Sequence, residues 1–429
     1  MISGLSKTEH VITESKWHTL TLSPKDSEAL WILRDKWRTA TVDWFGKKSK
    51  EDDVAKDGGK VIDVKHIRNG DIQVKVLDAI GAIDLPESVI IVAPKIPIAH
   101  FNYIAARALS VPRVYQGDFG LQQGNNFLEL VCNWAIDSIE AILRDGLMRD
   151  YKTLRTPLVT IKGRVNVAPT YLNLNRGNLA IDCEFEDHTV DTALNRVLKN
   201  ALDFIGRNPG VSPFLRKRAK RASAQFTGVG KLKPQDSRAI PQRNSKHYVD
   251  ALHFSNQVIM KSGVELGVGD SKARSFLYKT PLLIEEGLRR IIESGLAPVA
   301  VVKPRQMGLE SSTGKNVSAN PDIGISKDPF LVGDIKYKIQ EDHWRRPDLA
   351  QSVFFAVAFE SPKSLIVDFE NEKSNPNGDV QVSHILVSAI GWDARETSTP
   401  EDSSAKLIDD VKAWLGRDKI SFITDLVNQ

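Results

Sequence analysis

The stretch NPDIGISKDPFLVGDIKYK, residues 320–338, decides how the C-terminal part of the chain is read. Ile323 and Ile325 form one short apolar run. Phe330, Leu331, Val332 and Ile335 form a second, and Ser326, Lys327, Asp328 and Pro329 separate the two. Such runs around a polar, proline-bearing break predict two strands joined by a turn. Side chains two apart on a strand share a face, so Asp334 and Lys336 point the same way. A hairpin brings Asp322 beside them from the opposite strand, and two carboxylates and an ammonium then converge on one point.

Two carboxylates are hard oxygen donors suited to Mg²⁺, with Mn²⁺ as an alternative. A cation held there polarises a phosphodiester and acidifies a bound water. A neighbouring lysine orients that water or offsets charge on the phosphorus. Pro321-Asp322 with Asp334-Ile335-Lys336 resembles the signature of the PD-(D/E)xK nucleases; the competing reading is a surface hairpin with an ordinary ion pair. Upstream, Pro281–Glu293 carries Leu282, Leu283, Leu288, Ile291 and Ile292 at near-helical spacing. In nucleases of this kind a helical glutamate often completes the metal site, which points to Glu285, with Glu286 as the alternative. Downstream, Pro347–Phe359 reads as a helix with Leu349, Val353, Phe354 and Val357 as its apolar stripe, and Gln351 lies on it.

The chain has 429 residues, enough for two or three domains, and 41% of them are hydrophobic, so sizeable cores are expected. The net charge of +4 permits nucleic-acid binding without arguing for it. Cys132 and Cys183 sit in apolar segments without paired spacing, which argues against a disulfide framework or zinc ribbon and fits a reducing cytoplasm. No apolar stretch reaches the ~18 residues of a membrane span, and no signal peptide is recognised.

These patterns predict a mixed α+β (α/β) protein in three regions. Residues 1–120 read as a β-rich N-terminal domain, a small barrel or sandwich, with a charged loop at Lys47–Lys60. Residues 121–262 read as a helical middle region. Within it, Asn125–Arg144 and Thr192–Ile205 are helices, and Thr189 or Asp191 is the expected cap of the second. Residues 263–429 read as the PD-(D/E)xK restriction-endonuclease-like domain, with Ser262–Ser275 a loop ahead of the glutamate helix. Arg216, Lys217, Arg218, Lys220 and Arg221 make the densest basic run. They are candidates for tracking a phosphate backbone, against the alternative of a solvated helix face. No Gly-x-x-x-x-Gly-Lys-Ser/Thr string occurs, so the chain is not expected to be a P-loop NTPase.

Several segments in order resemble the McrC family, the nuclease subunit of the two-part McrBC restriction systems that act on methylated DNA. They are Val92–Ile96, Asp145–Tyr151 followed by Ile161–Arg164, Cys183–Phe185 followed by Asp191–Lys199, and Asp334–Lys338. The resemblance spans roughly residues 75–360. It implies that Asp322, Asp334 and Lys336 hold the nuclease positions, Glu285 the helical glutamate and Gln351 the helix glutamine. Asn320 stands where an arginine commonly precedes the Pro-Asp, and Phe355 where a tyrosine commonly follows the glutamine. The family works with a separate GTP-hydrolysing AAA+ ring, McrB, so the resemblance implies such a partner and a methylated double-stranded DNA substrate.

The expected function is a Mg²⁺-dependent endonuclease subunit with Asp322, Asp334 and Glu285 at the metal. Residues 1–120 are expected to dock on the partner ring, with Arg68 and Lys75 as unranked candidates for the residue that stimulates it. The first rival is an adaptor that mainly stimulates a partner NTPase ring, with weak or no nuclease activity. The second is a plain DNA-binding module built on the basic run.

Overall fold

A computed structural model of the chain describes residues 7–39, 61–67, 71–108, 127–208, 211–236, 247–261, 264–268, 271–309, 317–340, 343–374 and 378–416. The Lys47–Lys60 loop and Arg68 lie outside them. Among the described residues the protein is mixed α/β, with ten helices and several sheets. Its contacts group into two compact units, residues 1–127 with 277–429, and residues 128–276. The middle unit corresponds to the region expected at 121–262. The segments expected as separate first and third domains are grouped together.

The first unit is organised by a six-stranded sheet in the order Val301–Val302, Ile323–Ile325, Leu331–Ile339, Lys363–Glu370, Ile385–Asp393 and Asp379–Val382. Leu331–Ile339, Lys363–Glu370 and Ile385–Asp393 are parallel neighbours, and the remaining pairs are antiparallel. A parallel pair needs a crossover, and the helix Arg346–Ala358 supplies it. That helix buries Phe355 and Ala356 against Val332, Ile366, Ile385 and Val387. Its buried stripe is therefore Ser352, Phe355 and Ala356, and Val357, assigned inward from the sequence, is 58% exposed. Leu365, Val367 and Phe369 alternate with Ile366 and are also fully buried, so both faces of the sheet are covered. The helices Thr280–Leu296 and Pro400–Leu415 also pack on this sheet.

The N-terminal segment folds into this same unit. Among the described residues its strands fall in two sheets rather than one closed barrel. His18–Leu20, Ile72–Val76 and Ile62–His66 are antiparallel, while Thr8–Thr13 runs parallel to Ser88–Ala93, which pairs antiparallel with Ala79–Asp84. The helix Ile98–Ala108 packs on Thr280–Leu296. The contact is close enough that a Cβ on Gly287 would lie 2.3 Å from the Ile104 carbonyl oxygen, so only glycine fits there.

In the second unit, the helices Phe127–Asp145, Ala193–Arg207, Pro213–Ser223 and Val249–Lys261 accompany a sheet of Asp150–Leu158, Ile181–Thr189 and Arg164–Val165. The cap of Ala193–Arg207 is Thr192, whose Oγ1 accepts the Asn195 N–H at 3.2 Å. Thr189 and Asp191 are engaged otherwise: Thr189 Oγ1 accepts the Asp191 N–H, and the Asp191 carboxylate accepts from Gly230 and Arg196. The stretch expected as a loop at Ser262–Ser275 is instead a hairpin of Val264–Val268 and Ser271–Lys279. Val264, Leu266 and Val268 alternate as a strand requires, and the intervening glycines obscured that pattern in the sequence.

Candidate active site

The N–H of Asp322 donates to the Gly333 carbonyl at 3.1 Å, and Ile323 pairs with Gly333, so Asp322 stands across from Asp334. The Asp322 Oδ2 accepts the Ile335 N–H at 3.1 Å. Asp322 is 9% exposed and Asp334 3%, and the two carboxyls stand side by side on adjacent strands. Lys336, two residues along the same face, forms an ion pair with Asp334 and donates to Gln351 Oε1 at 2.8 Å. The hairpin and the crossover helix therefore bring together Asp322, Asp334, Lys336 and Gln351.

Glu285 approaches the group through a residue that sequence reading passed over. Lys303 donates from Nζ to Asp322 Oδ1 at 3.2 Å and lies 3.7 Å from Glu285 Oε2. Glu286, the alternative, is engaged within its own helix by Arg289 and Arg290. The signal for Lys303 was the register. Val301 and Val302 pair with Ile325 and Gly324, which carries the next residue alongside Asp322. Nothing in the linear spacing of nineteen residues shows that.

Burial, and then the charge of Asp322, push the Asp334 carboxyl above the ordinary carboxylate range against the pull of Lys336. Burial alone would lower the Lys336 ammonium, and the Asp334 charge outweighs it, so Lys336 is held protonated. Among the described residues, no three His, Cys, Asp or Glu side chains form a complete metal cage. The arrangement is a carboxylate pair with Glu285 linked to it by Lys303. Two buried like charges that resist joint ionisation are the donor set a hard divalent cation neutralises, so the residues fit Mg²⁺ with retained waters.

The end of the same strand and its neighbour carry further polar groups. Lys338 Nζ donates to both oxygens of Asp348 at 2.8 and 2.9 Å, and Gln340 Nε2 donates to Asp368 at 2.8 Å.

The basic run, in the second unit, splits by helical face. Arg218 is held by Asp137, Glu140 and Asn133, with distances of 2.6–2.9 Å, so it is a structural ion pair. Lys220 lies against Gly206, and the half-buried Arg216 comes from the preceding turn of that face. Lys217 and Arg221 line a cleft of about 820 Å³ with Arg144 and the exposed Phe214, and the Arg218–Glu140 pair also borders it. Arg196 is paired with Asp236 at 2.7 Å and with Asp191 at 3.0 Å, and Asn195 Nδ2 donates to the Met148 and Val190 carbonyls. The segment around Asp191–Lys199 thus holds the second unit together.

The family described as McrBC 5-methylcytosine restriction system component matches residues 74–358. Among solved structures, a chain in the refined half-complex from a tetradecameric assembly of Thermococcus gammatolerans McrB AAA+ hexamers with bound McrC is similar at a TM-score of 0.68. It is 14% identical, and the match covers 94% of this chain and 100% of that one. A chain in the cryo-EM structure of the Thermococcus gammatolerans McrBC complex matches at a TM-score of 0.48 and 14% identity, over 68% of this chain and 88% of its own. The first of these shows a shared fold. No curated protein matches the sequence.

Proposed function

From its place in the McrBC 5-methylcytosine restriction system component family, to which this chain belongs as a McrC-type member, we infer that it is the DNA-cutting subunit of such a system. The reading is a Mg²⁺-dependent endodeoxyribonuclease of PD-(D/E)xK layout, acting on methylated duplex DNA. One observation carries it: the buried Asp322–Asp334 pair on adjacent strands, with Lys336 beside it. The mixed sheet, with a glutamate-bearing helix before it and a crossover helix after Leu331–Ile339, supports the layout.

Asp322 and Asp334 are the residues that would hold Mg²⁺ or Mn²⁺, with Glu285, linked to Asp322 through Lys303, as the candidate third carboxylate. A cation bound there supplies Lewis-acid polarisation of the phosphodiester and a water of lowered pKa. The chain's own residues do the positioning. Lys336, fixed from one side by Asp334 and from the other by Gln351, presents its ammonium where charge develops on the attacked phosphate. The N–H of Ile335 fixes the rotamer of Asp322, so that Oδ1 is the oxygen turned toward the shared site. In the second unit, Lys217, Arg221 and Arg144 are the groups suited to phosphates of the DNA backbone.

The Thermococcus assembly joins McrB AAA+ hexamers with McrC, which supports a McrB-type GTPase ring as the partner here. The missing P-loop agrees with that division of labour, and no helix among the described residues is long and apolar enough to cross a membrane. The test is cleavage of methylated DNA with GTP, Mg²⁺ and the partner ring. Asp334→Ala should lose cutting altogether while the variant still folds, as far-UV circular dichroism would show. Wild-type cutting by that variant would overturn the site assignment.

A further inference from the structure

Lys303 is the cation of the carboxylate group that the nuclease signature does not account for, and its setting differs from that of Lys336. The Lys336 side chain is 17% exposed and is held at two acceptors, Asp334 and Gln351. The Lys303 side chain is 41% exposed, and it reaches inward from just after the edge strand Val301–Val302. Its Nζ stands 3.2 Å from Asp322 Oδ1 and 3.7 Å from Glu285 Oε2. The other oxygen of Asp322 is already taken by the Ile335 N–H. Oδ1 is therefore the lone pair to which a divalent cation would bind, and Lys303 occupies it.

We propose that Lys303 is a displaceable counter-ion: its ammonium competes with the divalent cation for Asp322 Oδ1 and Glu285, and on release it binds the phosphodiester of the incoming DNA. A unit charge and a double charge on one carboxylate oxygen repel strongly in a half-buried site, so the two cannot share it. A long, partly exposed lysine can leave that oxygen by rotating its own side chain, without moving the strand. Once released, the ammonium remains beside the carboxylates, where the negative phosphate must arrive. The exchange links cation loading to substrate capture. It also keeps Asp322 and Glu285 neutralised in the absence of the cation, when facing carboxylates would otherwise repel.

This inference rests on the reading of Asp322 and Asp334 as the cation site, and the experiment separates the two. Mn²⁺ binding to the full-length chain without DNA is measured by calorimetry for wild type, Lys303→Met, Lys303→Arg and Asp322→Asn, and DNA cleavage with the partner ring is measured alongside. Lys303→Met should bind Mn²⁺ about tenfold more tightly, since the competing charge is gone. It should also cut DNA at least several-fold more slowly at saturating Mg²⁺. Lys303→Arg, which keeps the charge, should stay near wild type in Mn²⁺ affinity and recover part of the cleavage. A merely structural lysine would not tighten metal binding on removal. Unchanged or weaker Mn²⁺ binding by Lys303→Met, with binding still lost in Asp322→Asn, overturns the role of Lys303 and leaves the site intact. Mn²⁺ binding that is indifferent to Asp322→Asn overturns the site itself, and the proposal with it.

Discussion

The strand Leu331–Ile339 has a carboxylate–lysine cluster on each side, and the two are built differently. On one face, Asp334 and Lys336 meet Asp322, Gln351 and Lys303. On the other, Tyr337 lies against Glu14 and Lys95. Glu14 is fully buried, yet its oxygens are taken: Oε2 accepts the Thr280 hydroxyl at 2.5 Å and Oε1 the Lys95 N–H at 3.2 Å. The Lys95 ammonium sits 4.0 Å from the centroid of the Tyr337 ring. Burial raises the Glu14 carboxyl just as it raises Asp334, so a displaced pKa does not tell the clusters apart. What differs is that in one cluster the buried acid has its acceptors filled and its lysine is also paired with Asp78, whereas the other sets two buried acids, Asp322 and Asp334, across from each other on adjacent strands. The closed cluster joins the N-terminal segment to the sheet, and the open one has a deficit of positive charge that a ligand can fill.

Exchanging the lysines puts that contrast to its hardest test. Lys336→Met should lower DNA cleavage per folded molecule by about a thousandfold through loss of charge stabilisation at the phosphate. Lys95→Met should do the reverse, costing about 2–4 kcal/mol in chemical denaturation because Glu14 keeps its burial without its counter-charge, while cleavage per folded molecule holds. Opposite results would interchange the two roles. In the second unit, Arg196→Met should cost about 3 kcal/mol by leaving Asp236 buried and unpaired, again with no change in metal binding.

Asp368 offers a smaller effect and a definite sign. It lies two residues beyond Ile366, the strand partner of Asp334, and burial, with Glu370 and Asp348, pushes its carboxyl up to about 8 against the hydrogen bond from Gln340. A folded acid that holds its proton above its unfolded value makes the native state bind more protons, so it costs stability as pH rises from about 4 to about 8. Asp368→Asn keeps the Gln340 contact and removes that cost. The variant should gain on the order of 1–3 kcal/mol over wild type at pH 9 and nothing near pH 3. A gain of equal size at both pH values would assign the effect to packing. The smallest effect concerns the basic helix. Lys217→Glu with Arg221→Glu should weaken DNA binding and flatten the log–log salt dependence by about 2, whereas Arg218→Gln should leave that slope alone.

Much of the site was legible because local rules act locally. The alternation around Ile335 put Asp334 and Lys336 on one face, and the short turn brought Asp322 opposite. Helical spacing placed Gln351 on the crossover helix, where its Oε1 meets Lys336. What escaped was set by long-range register. Lys303 joins the group through pairing of an edge strand of two residues. Arg218 looked like its basic neighbours until Asp137 and Glu140, some eighty positions away, neutralised it. Of the stripe expected on Arg346–Ala358, Leu349, Val353 and Phe354 pack against the core at its margin, while Phe355 and Ala356 form its centre and Val357 faces out, because the contiguous apolar run Val353-Phe354-Phe355-Ala356-Val357 fits several faces and the sheet chooses among them. The helix Val167–Asn175 was missed because none of its residues is buried, so its apolar positions, Tyr171 and Leu174 among them, follow no core-facing period.

The joining of residues 1–127 with 277–429 also imposes a timetable on the ribosome. Glu14 and Ile104 are translated early, but Thr280 and Gly287, against which they pack, emerge only after the whole of the unit 128–276. At a synthesis rate of about 5–20 residues per second, that interval is roughly ten to thirty seconds. The intervening unit has time to fold on its own, while the nascent N-terminal segment still lacks the partner that buries its apolar residues.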